Sequence, residues 1–125
     1  MIESYHFGSI TINGKTYHYD VEAHSNGKIL SWSREESHII DIKDIKRAVE
    51  ENPKIIIIGT GEAGIAEVTN EAQKFIKEKN IELIIKKTNE ATEIFNSCQK
   101  SQARLPAQAG LRRQEKVIGL FHLTC

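Results

Sequence analysis

Four consecutive isoleucines, Ile55–Ile58, run directly into Gly59-Thr60-Gly61-Glu62-Ala63-Gly64. A short, unbroken β-branched run bounded by Pro53 and a glycine has the pattern of a strand buried on both faces. Such a strand needs a packed layer above it and another below, which points to the interior of a parallel sheet. The residues that follow spell G-x-G-x-x-G, the spacing of a phosphate-cradling turn in dinucleotide folds.

The surroundings argue against that use. A dinucleotide fold starts its first helix inside the glycine motif, so that the helix N-terminus meets the pyrophosphate. Here the next helical pattern begins near Asn70, and lysines (Lys86, Lys87) stand where a ribose-binding acid is expected. A chain of 125 residues that opens with short strands is also too short for two βαβαβ halves. Two other readings of the loop remain. Gly59 and Gly61 let the backbone leave the sheet sharply, or the Gly59–Gly64 amides form an anion-binding nest at the carboxyl end of a central strand.

The rest of the pattern supplies the layers. Ser9–Ile12 and Lys15–Tyr19 flank Asn13-Gly14, a dipeptide suited to a type I′ hairpin turn, and a further strand is expected near Lys28–Trp32. Together they read as an antiparallel meander. Asp41 caps a helix with Ile42, Ile45, Ala48 and Val49 on one stripe, and Pro53 ends it. A second helix is expected over Asn70–Lys79, where Asn70 and Gln73 resemble a capping box. Strand Ile81–Ile85 follows, then a third helix capped by Thr88 or Asn89 with Ala91, Ile94, Phe95 and Cys98 inward. Val117–Leu123 is the last strand. From residue 41 onward the order α-β-α-β-α-β predicts right-handed crossovers and a mostly parallel central sheet. The expected class is α/β with α+β character, in one domain spanning residues 1–125.

Ser101–Gln114 stands apart, with three of the five arginines and no Ile, Lys, Asn, Asp or Glu. It reads as an exposed loop or insertion, either tolerated sequence or a basic docking loop.

The bulk numbers narrow the function. Seventeen basic and seventeen acidic residues cancel, so no global pull toward nucleic acid or an anionic membrane is expected. No apolar run is long enough for a membrane helix, and residues 1–5 have no leader pattern. Two cysteines, Cys98 and Cys125, provide no disulfide framework. A cytoplasmic protein is expected, with no metal and no cofactor; its oligomeric state stays open.

Candidate chemistry is sparse. His6, His18, His24, His38 and His122 are scattered, and His122 with Cys125 is a weak metal pair lacking a second pair nearby. Arg34 either pairs with Asp20 or reaches an anion at the glycine loop, and the ion pair is the favoured reading. Phe7, Tyr17 and Tyr19 read as sheet packing.

The ordered set Phe7-Gly8, Asp20, Trp32-x-Arg34, His38, Ile58-Gly59-Thr60-Gly61, Thr88 with Ala91, Asn96 and His122-Leu123-Thr124-Cys125 resembles the adipogenesis-associated Mth-domain family. The match spans nearly the whole chain except Ser101–Gln114, a join that is short in that family. The resemblance implies a three-layer β+α/β/α fold with a mixed central sheet, and a glycine loop lining a pocket of unknown ligand. Relatives in that family include a mitochondrial complex I assembly factor. Two functions follow as expectations. The first is a non-catalytic binding or assembly domain with a protein partner. The second is a small-molecule enzyme or sensor binding an anion at Gly59–Gly64. In either, the expected pocket residues are Gly59, Thr60, Gly61, Arg34, His38 and His122.

Overall fold

The computed structural model describes residues 1–34, 36, 38–103 and 116–125, with residues 100–103 described by their backbone. The chain forms β1 (Ile2–His6), β2 (Ser9–Ile12), β3 (Lys15–Tyr17), β4 (Val21–His24), β5 (Ile29–Ser31), β6 (Ile39–Ile40), α1 (Ile42–Glu50), β7 (Ile55–Thr60), β8 (Glu67–Val68), α2 (Asn70–Glu78), β9 (Glu82–Lys86), α3 (Thr88–Ala103) and β10 (Val117–His122). Among the described residues the fold is mixed, with three helices, a five-stranded central sheet and a separate antiparallel sheet at the N-terminus.

The central sheet has the order β5-β4-β10-β7-β9. β10, β7 and β9 are parallel, whereas β4 runs antiparallel to β10 and β5 antiparallel to β4. Alternation along β7 explains the isoleucine run. Ile56 and Ile58 join a core with Ile45, Ala48, Ala72 and Ile76 of α1 and α2. Ile57 faces the other way, into a core with Ile2, Ile10 and Ile12 of the N-terminal sheet and Ala91 and Phe95 of α3. Each of Ile56, Ile57 and Ile58 is wholly buried, a contribution of about 2 kcal/mol apiece by area. This is the expected three-layer arrangement.

The hairpin turn is as expected: Asn13 (φ +51°) and Gly14 (φ +83°) both take positive φ between β2 and β3. The third strand of the N-terminal sheet is β1, not the 28–32 segment; β5 pairs with β4 instead. β1 escaped the pattern because only Ile2 of its five residues is buried. β4 escaped it because two of its four buried residues, Glu22 and His24, are polar.

Asp41 caps α1 in a full capping box with Asp44. The cap of α2 is Thr69 rather than Asn70: the Ala72 N–H donates to Thr69 Oγ1 at 3.0 Å. Gln73 turns back to donate to Val68 O. α3 continues through Ala103, so the first three residues of the expected Ser101–Gln114 loop have helical backbone. Residues 104–114 of that segment lie outside the described residues. No helix among the described residues is long and apolar enough to cross a membrane.

Candidate functional site

The parallel strands β7, β9 and β10 all end on one side of the molecule. Asp20, just before the antiparallel β4, comes to the same side. Most of the residues expected to line a pocket come to this side, with His38 at its rim.

Gly59, the last residue but one of β7, lies against the start of α3. A Cβ at Gly59 would lie 2.8 Å from Thr88 Oγ1 and 3.0 Å from Thr88 Cα, so glycine permits the contact. Gly61 has φ +102°, and a Cβ there would lie 2.5 Å from the backbone oxygen of Thr124. A side chain at Gly61 would therefore face both a strained conformation and a backbone obstacle. These two glycines admit Thr88 and the 122–125 tail, and both occupants are the protein's own.

Thr88 is wholly buried and links loop to tail. The Gly61 N–H donates to its Oγ1 at 2.8 Å, and that hydroxyl donates to His122 O at 2.6 Å. The Glu62 N–H donates to Thr124 O at 2.8 Å. Thr60 turns its hydroxyl to Lys86 O at 3.1 Å. Two of the amides that an anion nest would use, those of Gly61 and Glu62, thus already have acceptors in the chain. Further along the loop, the stem of Lys87 lies against Gly64, 3.1 Å from where a Cβ would stand.

Beside this seam sits a charged cluster. Arg34 Nη2 donates to Asp20 Oδ2 at 2.6 Å and lies 2.7 Å from His122 Nδ1. His122 Nδ1 is in turn 2.8 Å from Asp20 Oδ2. The second carboxylate oxygen, Asp20 Oδ1, accepts the Leu123 N–H at 2.8 Å. A bare Nδ1 accepts from Arg34, whereas a protonated Nδ1 donates to Asp20; the Arg34–Asp20 bond holds in both cases. The Arg34 side chain is 4% exposed and its guanidinium stacks over Trp32 at 4.9 Å. Burial alone would raise the Asp20 pKa, but hydrogen bonds to His122, Arg34 and the Leu123 N–H outweigh it and hold the carboxyl below its usual value. Of the two readings of Arg34, the structure has the ion pair with Asp20.

Tyr5 closes the seam from the N-terminal sheet, donating to Glu62 Oε1 at 3.0 Å with Leu123 O at 3.3 Å. Burial, then the Glu62 hydrogen bond and charge, push its phenol above the ordinary range. A cleft of about 230 Å³ between β1 and α3 begins beside Tyr5 and continues past Glu3, Asn89, Glu93 and Asn96.

Five of the six expected residues, Gly59, Thr60, Gly61, Arg34 and His122, therefore share one neighbourhood. His38 stands at its exposed rim, with Nε2 3.9 Å from Cys125 Sγ. His122 does not pair with Cys125; its Nε2 lies 3.5 Å from Thr124 Oγ1. Among the described residues no group of three or more His, Cys, Asp or Glu side chains is placed to hold a metal ion. Sequence reasoning missed Tyr5 and Glu62, for which no local signal exists, and read Thr88 as a helix cap and a part of the family resemblance rather than as the link between loop and tail.

The family model described as "Protein of unknown function (DUF498/DUF598)" matches residues 2–108. No curated protein matches the chain. Among solved structures, the conserved hypothetical protein PH1505 from Pyrococcus horikoshii OT3 superposes with a TM-score of 0.80 at 23% identity, over 100% of this chain and 99% of the other. A structure named MT938 gives a TM-score of 0.75 at 26% identity, over 100% and 98%. A Bartonella henselae protein named as an outer membrane protein gives 0.73 at 20%, over 99% and 94%.

Proposed function

The chain belongs to the family of proteins of unknown function DUF498/DUF598, and from its own site we propose that it is a non-catalytic binding or assembly domain. Its binding face is the carboxyl end of the parallel strands, around the Gly59–Gly64 loop and the 122–125 tail. One observation carries this reading. The polar groups there engage one another, whereas large apolar side chains beside them face water. Arg34, Asp20 and His122 form a linked cluster, and the Gly61 and Glu62 amides are taken. Phe7 (62% exposed), Tyr19, Ile39 and Ile65 are exposed. Each is next in sequence to a residue bonded to this seam or flanking it: Gly8 and Asp20 to Leu123, His38 to Glu67, and Ala66 to Thr60. Exposed apolar groups rimmed by polar residues mark protein-binding surfaces.

The test uses a partner crosslinked to the protein in its host, then purified and reassembled with it. Phe7→Glu and Ile65→Glu should each weaken that complex, while Lys74→Glu on α2 leaves it intact. A complex indifferent to both changes would end the reading. So would a turnover by the protein that His122→Gln abolishes.

The small-molecule reading keeps one specific support, a lysine at the loop: the aliphatic stem of Lys87 lies against Gly64. Shifts of the Ala63–Ile65 amides on titration with inorganic phosphate, lost in Lys87→Ala, would favour it.

We also infer that the chain is of the Mth-domain type, from the ordered set that runs from Phe7-Gly8 to His122-Leu123-Thr124-Cys125. A cytoplasmic location goes with the binding reading, supported by free cysteines at Cys98 and Cys125.

A further inference from the structure

β9 is an edge strand. It pairs with β7 on one side and, among the described residues, has no strand on the other. The Glu82 N–H donates to Lys54 O and Lys86 O accepts from Thr60 Oγ1, so Glu82, Ile84 and Lys86 aim their backbone groups toward β7. By strand alternation, Leu83 and Ile85 aim theirs outward from the sheet. The side chains of Leu83, Ile84 and Ile85 are half-buried, while Glu82 and Lys86 are exposed.

The strand reads Glu82-Leu83-Ile84-Ile85-Lys86. Turned antiparallel against a second copy and centred on Ile84, it is complementary to itself. Leu83 falls opposite Ile85 of the second copy, and both have outward backbone groups, so each such pair exchanges two N–H···O=C bonds. Ile84 falls opposite Ile84. Glu82 falls opposite Lys86, twice by symmetry. Glu82, Ile84 and Lys86 occupy the non-hydrogen-bonded positions of that ladder, where facing side chains approach closest. Moving the centre to Leu83 or Ile85 keeps the hydrogen bonds but separates the charges. A lone lysine on an edge repels its own copy and guards against pairing; an acid at one end and a base at the other attract it.

We propose that two copies of this chain associate through the free edge of β9, antiparallel about a two-fold axis at Ile84, joining two five-stranded sheets into one. The interface runs along the outer side of β9 and meets the binding face around Gly59–Gly64 only at Lys86, whose O accepts from Thr60 Oγ1. Four backbone hydrogen bonds, two ion pairs and the covered flanks of Leu83, Ile84 and Ile85 hold it.

Sedimentation equilibrium of the full chain at low ionic strength tests the proposal, with far-UV circular dichroism confirming that each variant is folded. The wild type should be in monomer–dimer exchange. Glu82→Lys or Lys86→Glu alone puts like charges opposite each other and should weaken the dimer about tenfold. The double variant Glu82→Lys/Lys86→Glu restores the complement and should recover it. Amide exchange gives a second readout. The Leu83 and Ile85 N–H groups should slow as concentration rises, while those of Glu82 and Ile84 stay slow throughout. A wild type that stays monomeric, a dimer unmoved by the single changes, a folded double variant without recovery, or Leu83 and Ile85 amides indifferent to concentration would each overturn it.

Discussion

Two clusters, each of an acid, an arginine and a histidine, gather at β4 and are built in opposite senses. At the start of β4, Asp20 meets Arg34 and His122; two residues on, Glu22 meets Arg47 and His24. In the first cluster the guanidinium is buried, with the Arg34 side chain 4% exposed and Asp20 18%. In the second the carboxylate is buried, with Glu22 1% exposed and Arg47 53%. The first joins positions up to 103 apart, through Asp20 and the Leu123 N–H. The second spans 25, from β4 to the neighbouring α1, where Arg47 also donates to Ser31 O. A buried guanidinium cannot shed its proton and must be matched by the fold around it. An exposed one returns to water when its partner goes. The same chemistry thus acts as a long-range clasp at the strand ends and as a local lid in the middle of β4.

The largest expected effect breaks the clasp without touching its charges. Gly61→Ala asks alanine to adopt φ +102° and puts a Cβ 2.5 Å from Thr124 O. Strain and overpacking together should cost about 4 kcal/mol in denaturant unfolding. The displaced tail should also loosen the Leu123 N–H from Asp20, read as faster amide exchange at Leu123, while the Glu22 cluster stays unchanged. Equal loss in both clusters would mean that they are not separate units.

Next in size is Asp20→Asn, which leaves Arg34 buried without its counter-charge and should cost about 3 kcal/mol near neutral pH. The pH dependence has a definite sign. The folded Asp20 pKa lies below the ordinary 3.8. Its stabilisation is therefore present above the unfolded value and lost as pH falls through the lower folded value. The melting temperatures of wild type and Asp20→Asn should differ by a constant amount above the unfolded value and converge in acid. A gap that persists at the most acid pH would remove the ion pair as its cause.

Most of the layers were legible in sequence because they rest on periodicity. Ile42, Ile45, Ala48 and Val49 lie at helical spacing, and Ile55–Ile58 alternates between two cores. β4 was not legible because Glu22 and His24 look like surface residues until Arg47 and the neighbouring strands are placed around them. The glycine motif was legible as a tight turn, yet its use was not. Whether the Gly61 and Glu62 amides were free depended on Thr88 and Thr124, which folding alone brings to them. Arg34 with Asp20 was legible as a pair; its burial, its Trp32 stack and its contact with His122 belong to the tertiary structure.

The smallest effect tests the lid. Arg47→Ala removes the Nε bond to Glu22 Oε1 and the Nη2 bond to Ser31 O, at 3.0 and 2.6 Å. With half of the Arg47 side chain already in water, the pair is screened and its removal should cost less than about 1 kcal/mol. Glu22 keeps His24 Nε2 at 2.6 Å, and the space left by the Arg47 stem lets water reach the carboxylate. Urea unfolding of Arg47→Ala beside Asp20→Asn settles the comparison. A loss at Arg47 as large as that at Asp20 would mean that burial of the cation does not separate the two clusters, and that the Arg47 stem is a structural cover for β4 rather than a solvent-facing lid.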